Sequence, residues 1–151
     1  MNDKSKAPNF LGLIDENNQI SLSDYKGSFL VLYFYPKDKT SGCTIQSQDF
    51  RDYKKKFANK NCKIIGISRD SIKSHKSFTE KESLNFPLIS DPDETMCNAY
   101  GVMKEKSMYG RKYMGIERST FLFKNKKMIK EWRKVKVNGH ASEVLNYINN
   151  L

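Results

Sequence analysis

The chain of 151 residues is poor in cysteine: it has three, Cys43, Cys62 and Cys97, an odd number without regular spacing. That excludes a disulfide framework and agrees with a reducing compartment. No Cys-x-x-Cys pair exists, because position 46 is Gln, so a dithiol exchange centre is excluded as well. Histidine is rarer still, with only His75 and His140, and no closely spaced Cys/His pair could hold zinc. Neither histidine is near Cys43 in sequence, which disfavours a cysteine hydrolase with a histidine base. Both read as surface residues, His75 on a polar helix and His140 just before the last one. There is no Gly-rich phosphate loop, and nothing calls for a cofactor or a metal. No stretch approaches the roughly 18 apolar residues of a membrane span, and residues 1–6 lack the apolar core of a signal peptide. No membrane partner is expected, and the expected compartment is cytoplasmic.

Lys and Arg together number 27 against 17 Asp and Glu, a formal charge of +10. The basic residues are spread over positions 54–56, 104–112, 124–130 and 133–136 with no recognition-helix or RNA-binding motif among them. They read as a solvated basic surface, and no nucleic-acid partner is expected. Hydrophobic content of 38% and charged content of 29% suit a globular chain, most economically one domain over residues 1–151, large enough for a core without staples.

The chain is organised around residues 29–57. Phe29-Leu30-Val31-Leu32-Tyr33-Phe34-Tyr35 is unbroken apolar and aromatic, the pattern of a strand covered on both faces in a parallel sheet. Pro36 cannot extend the ladder, and Thr40 and Ser41 are good N-cap residues, so a helix is expected to start near Cys43. Phe50, Tyr53 and Phe57 then share one helical face. Cys43 falls in the first turn, where free backbone N–H groups and the positive helix end favour a thiolate over a thiol. A thiolate there is a nucleophile.

Pro36-Lys37-Asp38-Lys39-Thr40-Ser41-Gly42-Cys43, following Tyr33-Phe34-Tyr35, resembles the active-site loop of the peroxiredoxins, specifically the peroxiredoxin Q or bacterioferritin comigratory protein subgroup. The resemblance covers almost the whole chain. Ala7-Pro8-Asn9-Phe10 and Leu22-Ser23-Asp24-Tyr25-Lys26-Gly27 precede the loop. Phe86-Pro87-Leu88-Ile89-Ser90-Asp91, Ala99-Tyr100-Gly101-Val102 and Arg118-Ser119-Thr120-Phe121 follow it. It implies an α/β, thioredoxin-like fold, a central mixed sheet flanked by helices with an N-terminal hairpin. It also implies reduction of hydrogen peroxide or organic hydroperoxides, with Cys43 as the peroxidatic cysteine. Pro36, Thr40, Cys43 and Arg118 match the family's four active-site positions.

Peroxide reduction displaces oxygen from oxygen, so negative charge develops along the O–O axis and donors must be aimed at it. Thr40 is placed to turn its hydroxyl toward the pocket, the backbone N–H groups of Gly42 and Cys43 to face the anion, and Arg118 to supply fixed positive charge. Pro36 is expected to shield the thiolate from water.

The sequence departs from the subgroup in three places. Ser41 stands where proline is often found, the position five after Cys43 is Gln48, and residues 72–86 hold no cysteine. Cys62 opens an expected buried strand, and Cys97 lies on a short helix without a family role. The expected cycle uses one cysteine, its sulfenic acid resolved by thioredoxin, glutaredoxin or a low-molecular-weight thiol. A two-cysteine cycle through Cys97 and a non-enzymatic peroxide-sensing or partner-binding module are the alternatives. A basic rim suits an acidic protein reductant, and a monomer or weak dimer is expected.

For the rest of the chain, residues 7–14 and 19–22 read as a leading hairpin, 62–68 as a second buried strand and 71–83 as a surface helix anchored by Ile72 and Phe78. Residues 88–90 read as a strand, 94–100 as a short helix and 104–115 as a loop. Strands at 118–123 and 128–137 form a hairpin, and a final helix spans 141–149 with Val144, Leu145 and Ile148 inward.

Overall fold

The computed structural model describes residues 10–151, so the expected extended start at Ala7-Pro8-Asn9 lies outside the described residues. In chain order the elements are β1 (Leu11–Leu13), β2 (Gln19–Ser21), a 3-10 turn (Leu22–Tyr25), β3 (Phe29–Phe34), α1 (Ser41–Ala58), β4 (Cys62–Ser68) and α2 (Ile72–Glu82). Then come β5 (Leu88–Ser90), α3 (Thr95–Ala99), β6 (Met103–Met108), β7 (Arg111–Ile116), β8 (Ser119–Lys124), β9 (Lys127–Trp132) and α4 (His140–Asn149).

Among the described residues, seven strands form one mixed sheet in the order β2-β1-β5-β4-β3-β8-β9. β3 runs parallel to β4 and antiparallel to β8, and β4 is parallel to β5. The apolar run of β3 is explained by its two covered faces. Val31, Tyr33 and Tyr35 point into one core with Phe50, Phe57, Phe78, Val144 and Ile148, from α1, α2 and α4. Leu30, Leu32 and Phe34 point the other way, into a second core with Ile65, Ile67, Met96, Tyr100 and Phe121. Alternation exists along β3, but both phases are apolar.

The crossover from β3 through α1 to β4 brings the start of α1 to the C-terminal end of β3, the position where a parallel unit presents functional groups. Gly66 of β4 stands opposite Tyr33, and a Cβ there would come within 2.9 Å of the Tyr33 ring and 2.8 Å of Leu88. The missing side chain lets the Tyr33 ring lie flat on β4 and carry its hydroxyl to Ser47 of α1 at 2.9 Å.

Three expectations are corrected. Residues 104–115 are not a loop: β6 and β7 form a hairpin closed at Tyr109-Gly110, both at positive φ (52° and 78°), the backbone of a tight hairpin turn. Most of its residues are exposed on both faces, so it shows no alternation. The last strand stops at Trp132 rather than residue 137, because the chain leaves the ladder through Lys134 at φ 49°. Finally, His75 and His140 are buried at 2% exposure each, not on the surface, because each lies on the inner face of its helix, three residues before Phe78 and four before Val144.

Candidate active site

Tyr35 continues the line of β3, its N–H donating to the Ile67 carbonyl at 3.0 Å. Half-buried Pro36 then leaves the sheet, and Lys39 at φ 67° turns the chain toward α1. Thr40 occupies the N-cap position but does not cap with its side chain. Its hydroxyl donates instead to the Lys37 carbonyl at 2.8 Å, tying the loop to itself and leaving its lone pairs free to accept. The first helical bond is Thr44 N–H to the Thr40 carbonyl, so the N–H groups of Ser41, Gly42 and Cys43 carry the positive end of an 18-residue helix.

Cys43 lies in this first turn, as expected, and is 1% exposed. The structure brings Arg118 to it from 75 residues away: one guanidinium nitrogen, Nη2, donates to Sγ at 3.4 Å. The other, Nη1, donates to Gln46 Oε1 at 2.6 Å. Arg118 sits just before β8 rather than inside the strand, and the Val135 N–H bonds its carbonyl at 2.9 Å. Gly42 packs under the same guanidinium, where a Cβ would stand 3.3 Å from Nη2. Positive charge thus reaches the sulfur from two directions, the helix start and the guanidinium, and both are fixed before any substrate arrives.

Gln46 is the residue that sequence reasoning missed. It is 1% exposed, and its Nε2 is buried with no hydrogen-bond partner among the described residues. The available signal was its spacing: three residues after Cys43, it shares that face of α1.

The structure does not bring the other cysteines to the site. Cys62 faces the same core as Cys43 but at the opposite end of β3, beside Phe29, a strand length of ~17 Å away. Burial pushes its thiol up to about 12. Cys97 is 0% exposed in the other core, across the sheet from Cys43. Its thiol is also pushed upward, first by burial and then by the Asp91 carboxylate. His140 bonds Thr120 at 2.8 Å and Glu143 at 3.2 Å, and burial lowers the tendency of its ring to protonate.

With this geometry in place, comparison with known proteins gives a consistent result. The sequence model of the AhpC/TSA family matches residues 4–132. The chain belongs to the AhpC/TSA family. Peroxiredoxin Bcp of Bacillus subtilis is 48% identical over 147 residues, covering 97% of this chain and 94% of that one. A protein named as a peroxiredoxin Bcp in Coxiella burnetii is 48% identical over 141 residues, 93% of each chain. Among solved structures, the bacterioferritin comigratory protein of Xanthomonas campestris, described for its alkyl peroxide reduction activity, superimposes with a TM-score of 0.88 at 44% identity. It covers 97% of this chain and 91% of that one. This peroxiredoxin is accordingly a thiol-dependent peroxidase on the thioredoxin-like fold. Among the described residues, no helix is long and apolar enough to cross a membrane.

Proposed function

We propose that this peroxiredoxin reduces hydrogen peroxide and organic hydroperoxides through Cys43 alone, and that an external thiol restores the enzyme. The observation that carries the reading is the paired hold of Arg118 on Cys43 Sγ and Gln46 at the start of α1. The Cys43 thiolate attacks one oxygen of the hydroperoxide, an S–O bond forms as the O–O bond breaks, and the departing alkoxide or hydroxide takes up a proton. Arg118 and the N–H groups of Gly42 and Cys43 stabilise the charge spread along the three reacting atoms. Thr40, its own hydrogen given to Lys37, accepts the hydroperoxide O–H, and Pro36 walls off water. An alkyl peroxide is a natural substrate by likeness to the Xanthomonas campestris protein.

The product is a Cys43 sulfenic acid. One external thiol displaces its oxygen as water to give a mixed disulfide, and a second thiol releases Cys43. The sum is one hydroperoxide and two thiols converted to alcohol, water and a disulfide. Burial of Cys62 and Cys97 away from the site supports an external source, either a protein dithiol such as thioredoxin or glutaredoxin, or a small thiol. Since Cys43 is 1% exposed, the first turn of α1 must open to admit that thiol.

Steady-state turnover of the Cys62→Ser/Cys97→Ser double variant with thioredoxin, glutaredoxin and a small thiol tests the cycle. Turnover within about twofold of wild type with the same reductant is expected. Collapse of multiple turnover in a folded variant would restore the two-cysteine alternative. A sulfenic acid that no reductant turns over, in wild type as well, would favour the peroxide-sensing module.

A further inference from the structure

A second group of buried polar side chains lies directly beneath the active-site loop. Asp38, midway between Pro36 and Thr40, buries its carboxylate at 1% side-chain exposure. Oδ1 accepts from the Tyr35 hydroxyl at 2.6 Å. Oδ2 accepts from the Ser74 hydroxyl at 2.8 Å and faces His75 Nδ1 at 2.7 Å. The other ring nitrogen of His75, Nε2, stands 3.0 Å from the Ile89 carbonyl of β5. A carbonyl only accepts, so Nε2 carries a hydrogen. A second hydrogen lies between Nδ1 and Oδ2 at 2.7 Å, and through it His75 holds Asp38 inside the protein.

The backbone of Asp38 is held as well. Its N–H donates to Asp70 Oδ2 at 2.8 Å, and that same oxygen takes the Ser68 hydroxyl at 2.6 Å. Ligand atoms of Asp38, Asp70 and His75 lie within 4.8 Å of one another, but these hydrogen bonds already account for their arrangement. A buried pair of ionisable side chains is seldom an advantage for stability over apolar side chains of the same size, so its presence calls for another reason. The reason on view is the loop: Asp38 is held by Ser74 and His75 of α2 and by Asp70 just after β4, with His75 itself set against β5, five residues before Cys43.

We infer that His75 is a positioning residue for peroxide reduction: by holding Asp38 it sets the loop from which Pro36 and Thr40 meet the hydroperoxide. It touches neither substrate nor sulfur and acts only through Asp38. The inference rests on the assignment of Cys43 and Thr40 proposed above. It separates two properties of the site. The positive charge beside Cys43 Sγ comes from Arg118 and the helix start, whereas the placement of Thr40 and Pro36 comes from the loop that His75 holds.

The experiment measures two rates at Cys43: oxidation by hydrogen peroxide in a single turnover, and alkylation by iodoacetamide, located by mass spectrometry. In His75→Gln the oxidation rate constant is expected to fall about tenfold to a hundredfold, as for an ångström-scale misplacement of reacting groups. Alkylation stays the same or rises. Ser74→Ala, which removes one donor to Asp38, lowers oxidation several-fold with the same selectivity. The double variant Asp38→Asn/His75→Gln loses no more than Asp38→Asn alone, since His75 has no separate route to the site. Equal falls in both rates, an unaltered oxidation rate in folded His75→Gln, or full additivity in the double variant would each overturn the inference. If His75→Gln fails to fold, an unaltered rate in Ser74→Ala overturns it instead. Wild-type peroxide consumption by Cys43→Ser would overturn the site assignment itself, and the inference with it.

Discussion

Replacing Gly42 by alanine should move stability and activity in opposite directions. Gly42 is the second residue of α1 and has no positive φ, so alanine fits its backbone. Glycine inside a helix costs about 0.5–1 kcal/mol relative to alanine, which gives an expected rise in melting temperature of about 2–4 °C for a chain of this size. The new Cβ, however, meets Arg118 Nη2 at 3.3 Å and Val137 Cγ2 at 3.9 Å, so the guanidinium must shift by a few tenths of an ångström. It is anchored on its far side by the 2.6 Å bond to Gln46, so the shift falls on the 3.4 Å contact with Cys43. Lengthening that contact by about 0.4 Å at an effective dielectric of about 20 weakens the attraction by ~0.5 kcal/mol, or roughly two- to threefold in rate. Calorimetry and stopped-flow oxidation by hydrogen peroxide measure the two quantities on one sample. The Arg118→Gln background should abolish the rate effect of Gly42→Ala and keep its stability gain. An unaltered or faster oxidation rate in Gly42→Ala with Arg118 present would refute the reasoning that the guanidinium position governs the site.

Two further outcomes follow from the packing around the site. Gly66→Ala forces a methyl group against the Tyr33 ring and Leu88, and chemical denaturation should show a loss of about 1–3 kcal/mol, as for overpacked cores. The His140 ring titrates below its ordinary value of 6.5, chiefly because it is buried and also because Arg118 repels its charged form, with Glu143 opposing. The unfolded chain therefore takes up this proton first as pH falls, so the contribution of His140 is complete above about 6.5 and is lost below it. The melting temperature should drop between pH 7 and 5 more steeply in wild type than in His140→Gln.

The parts of the fold that sequence revealed are those whose burial follows one period. β3 and β4 declared themselves as apolar runs because both their faces are covered, and α4 through Val144, Leu145 and Ile148 on one side. The β6–β7 hairpin did not, because neither of its faces packs into a core along most of its length, and only the Tyr109-Gly110 turn marked it. At the candidate site, the placement of Cys43 in the first turn of a helix was legible from the strand, the proline break and the N-cap residues, which are local. Its partnership with Arg118 spans 75 residues and depends on β8 lying beside β3 in the sheet. The Asp38–His75 pair escaped notice because a histidine on a polar helix looks solvent-facing until the sheet beneath it is known. Its spacing to Phe78 was the one local sign.

The most direct test of the account is the intact mass of the reduced protein after one equivalent of hydrogen peroxide, with free thiols counted. Gain of one oxygen atom with Cys62 and Cys97 still free, abolished in Cys43→Ser, is the expected result. Loss of two hydrogens with a single thiol left would mean an internal disulfide and contradict the one-cysteine cycle, and no change of mass would contradict Cys43 as the reacting group.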